Sequence, residues 1–328
     1  MTQRTLDQVL ETHGATGGTA ADVAGVVAGI GRAAKDLHAL IAGHEAGSGD
    51  GAALTATAEK LVMEALANSA AAGVATPADA APRPLNPAGT LLVTIDVLGG
   101  GAELDINLSP GLVFAVWPTG GDLAAAAGQP GLAQLAAGLV MFGPRTVAAI
   151  TLCKGTALFQ LGAAGAFVET DAAAHLPHGT REYAIDASAY RHWDSHVRAY
   201  IDECVEGADG PAGVDFTMRW SGSLVAEAYR ILRRGGVFLQ PKNGRTGTGG
   251  ASLTFDAAPL ALLIEQAGGE ATTGYGRILD IVPKGRDHRV TLIFGSADHV
   301  GEVARSYDEI SPASHRAPLF GARGLFRE

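Results

Sequence analysis

The pattern of apolar and polar positions predicts a chain in which helices and strands follow one another throughout. Residues 20–42 place Val23, Val27 and Ile30 at helical spacing, and the glycine-rich segment after them ends the helix. Residues 91–96 and 112–117 are short, nearly continuous apolar runs, which are typical of buried strands. Further helices are predicted at 5–12, 54–70, 192–204, 224–232, 258–267 and 298–307. Further strands are predicted at 146–153, 157–161, 166–169, 183–185, 237–239 and 291–294, with loops at 71–90 and 243–250 and a loop plus small-residue helix at 121–138. This interleaving indicates layers of mixed α and β structure.

Composition narrows the class of protein. The chain has 328 residues, of which 47% are hydrophobic and 18% charged, so it can bury a large core and global disorder is not expected. Its net charge of −10 argues against a nucleic-acid-binding surface, which needs a basic stripe. The two cysteines, Cys153 and Cys204, exclude a disulfide framework and favour a reducing cytoplasm. No apolar run is long enough to predict a membrane span.

The stretch 91–117 contains the most suggestive chemistry. Its first apolar run ends at Asp96, glycines follow, and Glu103 and Asp105 precede the second run. Many hydrolases present carboxylates to a divalent cation on such a turn beside a strand. An acidic residue at a strand end before a glycine turn is as often a simple turn cap as a metal ligand. The surrounding sequence therefore has to decide between these two interpretations.

Several longer segments have a recognisable sequence. In the second half they are residues 180–188 (Thr-Arg-Glu-Tyr-Ala-Ile-Asp-Ala-Ser), 218–227 (Met-Arg-Trp-Ser-Gly-Ser-Leu-Val-Ala-Glu), 233–241 (Arg-Arg-Gly-Gly-Val-Phe-Leu-Gln-Pro) and 265–274. The first half adds residues 105–109 (Asp-Ile-Asn-Leu-Ser) and 141–147. In these segments the chain resembles class 1 fructose-1,6-bisphosphatases of bacterial type. The similarity extends over nearly the whole chain and is strong from about residue 140 onward.

The resemblance implies an α/β layered (αβαβα) sugar-phosphatase fold, with mixed sheets sandwiched by helices, and usually a homotetramer. It also implies an N-terminal half, 1–175, with the metal-site signature and a C-terminal half, 176–328, with the sugar-phosphate pocket. Members of the family hydrolyse the 1-phosphate of fructose 1,6-bisphosphate using magnesium ions held by carboxylates. Cations are needed because a phosphate dianion resists attack until its charge is neutralised.

The family's metal-site signature is only partly present in this chain. The signature reads Asp-Pro-Leu-Asp-Gly-Ser-Ser-Asn, whereas residues 96–103 read Asp-Val-Leu-Gly-Gly-Gly-Ala-Glu, so Asp96 matches the first ligand and Gly99 replaces the second. The family's two adjacent glutamates would fall within 76–79, where only Asp79 is acidic, and its C-terminal ligand glutamate matches Asp256. We therefore expect Asp96 and Asp256 as remnants of the metal site. Possible displaced ligands are Asp79, Glu103 and Asp105.

The resemblance also indicates a sugar-phosphate pocket, again with substitutions. Arg219 matches an arginine that reaches a phosphate across a subunit interface. It could instead form an interface salt bridge, but its flanking motif favours phosphate contact. Asp186 stands where the family has an asparagine that donates to the 6-phosphate, and a carboxylate there would repel the phosphate. Gln240 replaces a phosphate-contacting tyrosine, and Lys242 or Arg245 could partly substitute for a lysine of the following loop.

The histidines suggest no independent metal site. His192 and His196 are four residues apart, but no carboxylate or cysteine stands at ligand spacing, so a solvated helix face is the more common arrangement.

Three hypotheses about function remain open at this point. The first is an active phosphatase with a rearranged site that uses the displaced carboxylates. The second is a non-catalytic homologue that binds a sugar phosphate, or that pairs with an active paralogue as a regulatory subunit. The third is a structural tetramer without a ligand. Because most of the metal carboxylates are missing, we expect magnesium-dependent turnover to be weak or absent.

Overall fold

A computed structural model describes residues 3–44, 51–99 and 101–309. The first half contains helices α1 (Leu6–Gly14), α2 (Thr19–Ala42), α3 (Gly51–Leu66) and α4 (Leu123–Ala127). Its strands are β1 (Ala71–Ala75), β2 (Arg83–Pro84), β3 (Leu91–Gly99), β4 (Gly111–Pro118), β5 (Ala136–Phe142), β6 (Thr146–Thr151), β7 (Thr156–Leu161) and β8 (Phe167–Ala174). The second half contains helices α5 (Ser195–Glu206), α6 (Leu224–Arg234), α7 (Ala258–Gln266) and α8 (Ala297–Glu309). Its strands are β9 (Glu182–Ala184), β10 (Thr217–Met218), β11 (Val237–Gln240), β12 (Ala251–Ser252), β13 (Glu270–Thr272), β14 (Arg289–Val290) and β15 (Leu292–Gly295).

The first-half strands form one eight-stranded sheet in the order β2-β1-β3-β4-β5-β6-β7-β8. All neighbouring strands are antiparallel except β1 and β3, which are parallel. Successive side chains of a strand point to opposite faces, so β4 supplies both sides of the sheet with apolar groups. Leu112 and Phe114 pack in the cluster formed with α1, α2 and α3, whereas Val113 packs in the cluster formed with α6 and α7.

The second sheet has five strands in the order β10-β9-β11-β15-β13. Phe238 and Phe294 of this sheet belong to the same buried cluster as α6 and α7, so these helices lie between the two sheets. On the other face, α5 and α8 pack against Val237, Leu239 and Ile293. The layer order is therefore helix, sheet, helix, sheet, helix, and the predicted αβαβα fold is confirmed.

The predicted helices are found, with shifted ends. At the N-terminus Thr5 caps α1: its hydroxyl accepts from Gln8 N–H while the Gln8 side chain accepts from Thr5 N–H, a reciprocal capping box. Asp194 caps α5, which therefore begins after His192 rather than at it. Among the described residues, no helix combines the length and the apolar character needed to cross a membrane.

The largest error concerns residues 71–90, which were predicted to be a loop. This segment contains β1 and β2, and β1 is a buried internal strand between β2 and β3. Its sequence, Ala-Ala-Gly-Val-Ala, has little intrinsic strand preference. It is extended because neighbours on both sides pair with its backbone, and local sequence does not report such pairing. Strand β5 was not predicted either, and it too is paired on both sides, by β4 and β6. The edge strand β13, which pairs with β15 alone, was also not predicted.

Candidate functional site

Asp96 lies near the end of β3, at the point where pairing with β4 becomes irregular between Asp96 and Gly99. Its carboxylate accepts a hydrogen bond from Leu98 N–H at 3.3 Å, so part of its role is to close the local turn. Burial raises the pKa of Asp96, and the bond from Leu98 lowers it only in part. A Cβ placed on Gly99 would lie 3.1 Å from Asp96 Oδ2, so residue 99 directly adjoins this carboxylate.

Asp256 lies in a wide helical turn, Leu253–Ala257, that leads into α7. Its Oδ2 accepts from Ser252 N–H at 3.0 Å. Burial and the negative charge of Asp96 raise the pKa of Asp256 to about 6, although the hydrogen bond from Ser252 N–H and the positive charge of Arg289 both act to lower it. The tertiary structure thus brings Asp96 and Asp256 together, although they are far apart in the chain.

The other three candidate carboxylates are placed differently. Asp79 accepts from Thr76 N–H at 2.9 Å and lies 3.0 Å from Arg83 Nε, so its charge is already paired. Asp105 is exposed on the short helix Gly101–Ile106. The side chain of Glu103 lies outside the described part of the structure. Within the described residues, no set of three or more His, Cys, Asp or Glu side chains converges on one point.

This donor set can be compared with the needs of magnesium. Mg²⁺ requires near-octahedral oxygen coordination and is often held by one or two carboxylates, several waters and the phosphates of its substrate. The Asp96–Asp256 pair therefore fits one such ion. A centre with several ions, which clamps both the attacking and the leaving oxygen, needs further carboxylates. The described residues do not place any others beside the pair.

The sugar-phosphate candidates meet at one edge of the second sheet. Strands β9, β10 and β11 are mutually parallel neighbours, so their carboxyl ends lie side by side. Asp186 follows β9, Arg219 follows β10 and Gln240 ends β11. The topology therefore gathers residues from three separate segments. Lys242 stands two residues after Gln240, and its backbone N–H donates a hydrogen bond to Thr291 Oγ1 at 3.0 Å.

The individual side chains at this edge have different partners. Asp186 is exposed and caps the next helical turn, accepting from Ser188 N–H at 3.0 Å and Ser188 Oγ–H at 2.6 Å. The amide oxygen of Gln240 is buried and has no hydrogen-bond partner within the described residues. Arg219 donates from Nε to Glu182 Oε1 at 2.9 Å. Asp186 is thus held as a turn cap, whereas the Gln240 oxygen is left without a described partner.

Two features of this region were not anticipated. Glu182 is buried and contacts three arginines, Arg219, Arg230 and Arg234, which the sequence did not signal because all three are distant from it in the chain. His196 is buried as well: its Nδ1 lies 2.9 Å from Ser306 O, and its ring stacks on Tyr307 at 4.5 Å. The prediction of a solvated helix face was therefore wrong for His196, because α8 covers that side of α5.

Comparison with known proteins gives consistent matches. The family model of the fructose-1-6-bisphosphatase N-terminal domain matches residues 25–172, and the family model of the C-terminal domain matches residues 176–308. The chain is 41% identical over 341 residues to a class 1 fructose-1,6-bisphosphatase of Bradyrhizobium diazoefficiens, covering 99% of each chain. A relative with the same description from Nitrobacter vulgaris is 46% identical over 277 residues, which cover 84% of this chain and 80% of that protein.

A solved structure shares the fold. The holo form of Leishmania major fructose-1,6-bisphosphatase superposes with a TM-score of 0.83 at 24% identity, over 94% of this chain and 100% of that one. At this identity the likeness concerns the fold alone.

Proposed function

Because the chain belongs to the class 1 fructose-1,6-bisphosphatase family, we propose that it binds a sugar bisphosphate and hydrolyses it only slowly, if at all. The family reaction is hydrolysis of fructose 1,6-bisphosphate to fructose 6-phosphate and phosphate. The observation that supports reduced turnover is the donor set: Asp96 and Asp256 are close enough to interact electrostatically, and no third His, Cys, Asp or Glu of the described residues forms a group with them.

The binding half of the proposal rests on the edge formed by β9, β10 and β11. Arg219 and Lys242 offer positive charge there, and guanidinium groups bind phosphate with two parallel hydrogen bonds. Asp186 opposes binding through its negative charge and has no basic partner among its described contacts. We therefore expect affinity for a phosphorylated sugar that depends mainly on Arg219.

The chemical half rests on how much charge stabilisation the site can supply. Magnesium at Asp96 and Asp256 would neutralise phosphate charge and make a bound water more acidic. Loss of a single stabilising group in an active site typically slows a reaction about 100- to 1000-fold, and losses in one site are not independent. With Gly99 in the place of a ligand carboxylate, and Asp79 paired to Arg83, the described residues leave the family reaction poorly supported.

We further propose that the chain acts in the cytoplasm as an oligomer, either a homotetramer or a hetero-oligomer with an active paralogue, built from the halves 1–175 and 176–328. Both cysteines are free thiols, as a reducing compartment favours. Met218 and Trp220, which flank Arg219, expose 44% and 39% of their surface. Exposed apolar groups around a charged ligand residue support a covering partner subunit.

Two measurements on the purified full chain test the proposal. Phosphate release from fructose 1,6-bisphosphate is measured with magnesium and with EDTA, beside an active class 1 relative as the reference. We expect release far below that of the relative, and comparable turnover would refute the reduced activity. Thermal unfolding is then followed with and without millimolar fructose 1,6-bisphosphate, because a ligand that binds only the folded state raises the midpoint. Absence of any shift would refute binding and leave a structural role.

A further inference from the structure

Glu182 is a buried charged side chain in direct contact with Arg219. It opens β9 and is only 6% exposed. Its Oε1 accepts from Arg219 Nε at 2.9 Å and also from Arg234. Its Oε2 accepts from Arg230 Nη1 at 2.9 Å and from Arg234 Nε at 3.3 Å. Both oxygens are therefore fully engaged by guanidinium groups from two different elements.

The surrounding charges keep this glutamate ionised. Burial by itself would raise the pKa of Glu182, but hydrogen bonds and charge from Arg234 and Arg219 lower it below the ordinary value. Glu227 shares the cluster by pairing with Arg230 Nε at 2.9 Å. Three guanidinium groups thus face two carboxylates, which leaves one positive charge in excess. The cluster as a whole remains attractive to an anion.

The contact with Glu182 restricts Arg219 in a specific way. Only Nε is bound, and the terminal nitrogens of Arg219 donate no hydrogen bond to any described residue. The Arg219 side chain is 50% exposed, whereas that of Glu182 is 8% exposed. A guanidinium fixed at Nε keeps its two terminal NH2 groups available in one plane, which suits bidentate recognition of a phosphate. An unfixed arginine would lose side-chain entropy on binding.

We propose that Glu182 is a positioning residue, which holds Arg219 by its Nε so that the outer guanidinium edge receives a phosphate group of the ligand. The inference rests on the proposed sugar-bisphosphate binding and adds to it a residue that never touches the ligand. Arg234 and Arg230 supply the counter-charge that holds Glu182 itself in place.

A double-mutant cycle on affinity tests this role. The dissociation constant for fructose 1,6-bisphosphate is measured by calorimetry on the full chain for wild type, Glu182→Gln, Arg219→Ala and the double variant. Arg219→Ala is expected to weaken binding about 10- to 100-fold, since hydrogen bonds to charged groups contribute about 1.5–3 kcal/mol. Glu182→Gln is expected to weaken binding about tenfold alone and to have no further effect in the Arg219→Ala background.

The matched control is Glu265→Gln, which removes the charge from another arginine-paired glutamate, bound to Arg277 on a different part of the surface. It is expected to leave affinity unchanged. If Glu182→Gln does not fold, Glu182→Asp keeps the charge but shortens the arm, and is likewise expected to weaken binding only when Arg219 is present. Circular dichroism and unfolding curves establish that each compared variant is folded.

Each outcome decides the question. Equal affinity of folded Glu182 variants and wild type overturns the positioning role, as does an equal loss with and without Arg219, which would indicate a general structural effect. A wild-type protein that does not bind the bisphosphate refutes the proposed function and this inference with it. Wild-type binding that Arg219→Ala leaves unchanged refutes the inference and the expected dependence of affinity on Arg219, whereas the proposed binding of the bisphosphate itself stands.

Discussion

Replacement of Asp256 by asparagine tests whether its buried charge, near that of Asp96, destabilises the fold at neutral pH. The pKa of Asp256 rises from an ordinary 3.8 to about 6 because the group is buried and lies near the charge of Asp96. Between these values the folded protein keeps a proton that the unfolded chain has released. The free energy of unfolding therefore falls as the pH rises through this window, and the loss is complete above about pH 6.

The size of the effect follows from the same pKa values. Each pKa unit corresponds to about 1.4 kcal/mol. Ionisation of Asp256 therefore lowers the free energy of unfolding at neutral pH by about 3 kcal/mol relative to the protein with Asp256 protonated. Asparagine is never charged, and its amide oxygen can still accept from Ser252 N–H. We expect Asp256→Asn to exceed wild type in unfolding free energy by up to about 3 kcal/mol at pH 8, with the difference disappearing near pH 4.

The assay is urea unfolding of both proteins at several pH values between 4 and 8, in EDTA so that no cation screens the pair. Asp209→Asn is the control, because Asp209 is exposed on the surface. Equal stability of Asp256→Asn and wild type at pH 8, or identical pH dependence of the two, would refute the reasoning. Repeating the series with magnesium extends the test: an ion held by the pair stabilises wild type and leaves Asp256→Asn unchanged.

Three further substitutions have definite expected outcomes. Gly99→Asp places a third carboxylate beside Asp96 Oδ2, since a Cβ there would lie 3.1 Å away; it should raise magnesium-dependent phosphate release and the magnesium-induced thermal shift above wild type, and Gly99→Asn, which adds no charge, should not. Thr5→Ala removes the capping box of α1 and should lower the unfolding free energy by about 1 kcal/mol in urea titrations, so an unchanged midpoint would contradict the capping role. Thr94→Val leaves the buried indole N–H of Trp117 without its 2.9 Å partner and should lower the same quantity by about 1–3 kcal/mol, whereas an unaltered stability would mean that the bond contributes nothing net.

Local pattern was sufficient for much of the fold. Helical spacing of apolar residues located α2, and nearly continuous apolar runs located the strands β3 and β4, which are buried on both faces. The motifs around Arg219 and Gly235-Gly236 were long enough to indicate the family. The matches to the family models and to known relatives then established it. β1 was missed because its extension depends on pairing with β2 and β3 rather than on its own alanines.

The sequence by itself therefore determined the α/β layering and the family. Only the tertiary structure decided which charges meet. It brought Asp96 within electrostatic reach of Asp256, and it surrounded Glu182 with guanidinium groups from separate segments. The physical reason is that periodicity reflects interactions between residues close in the chain. Burial and charge pairing act through space, between groups that the order of the residues keeps far apart.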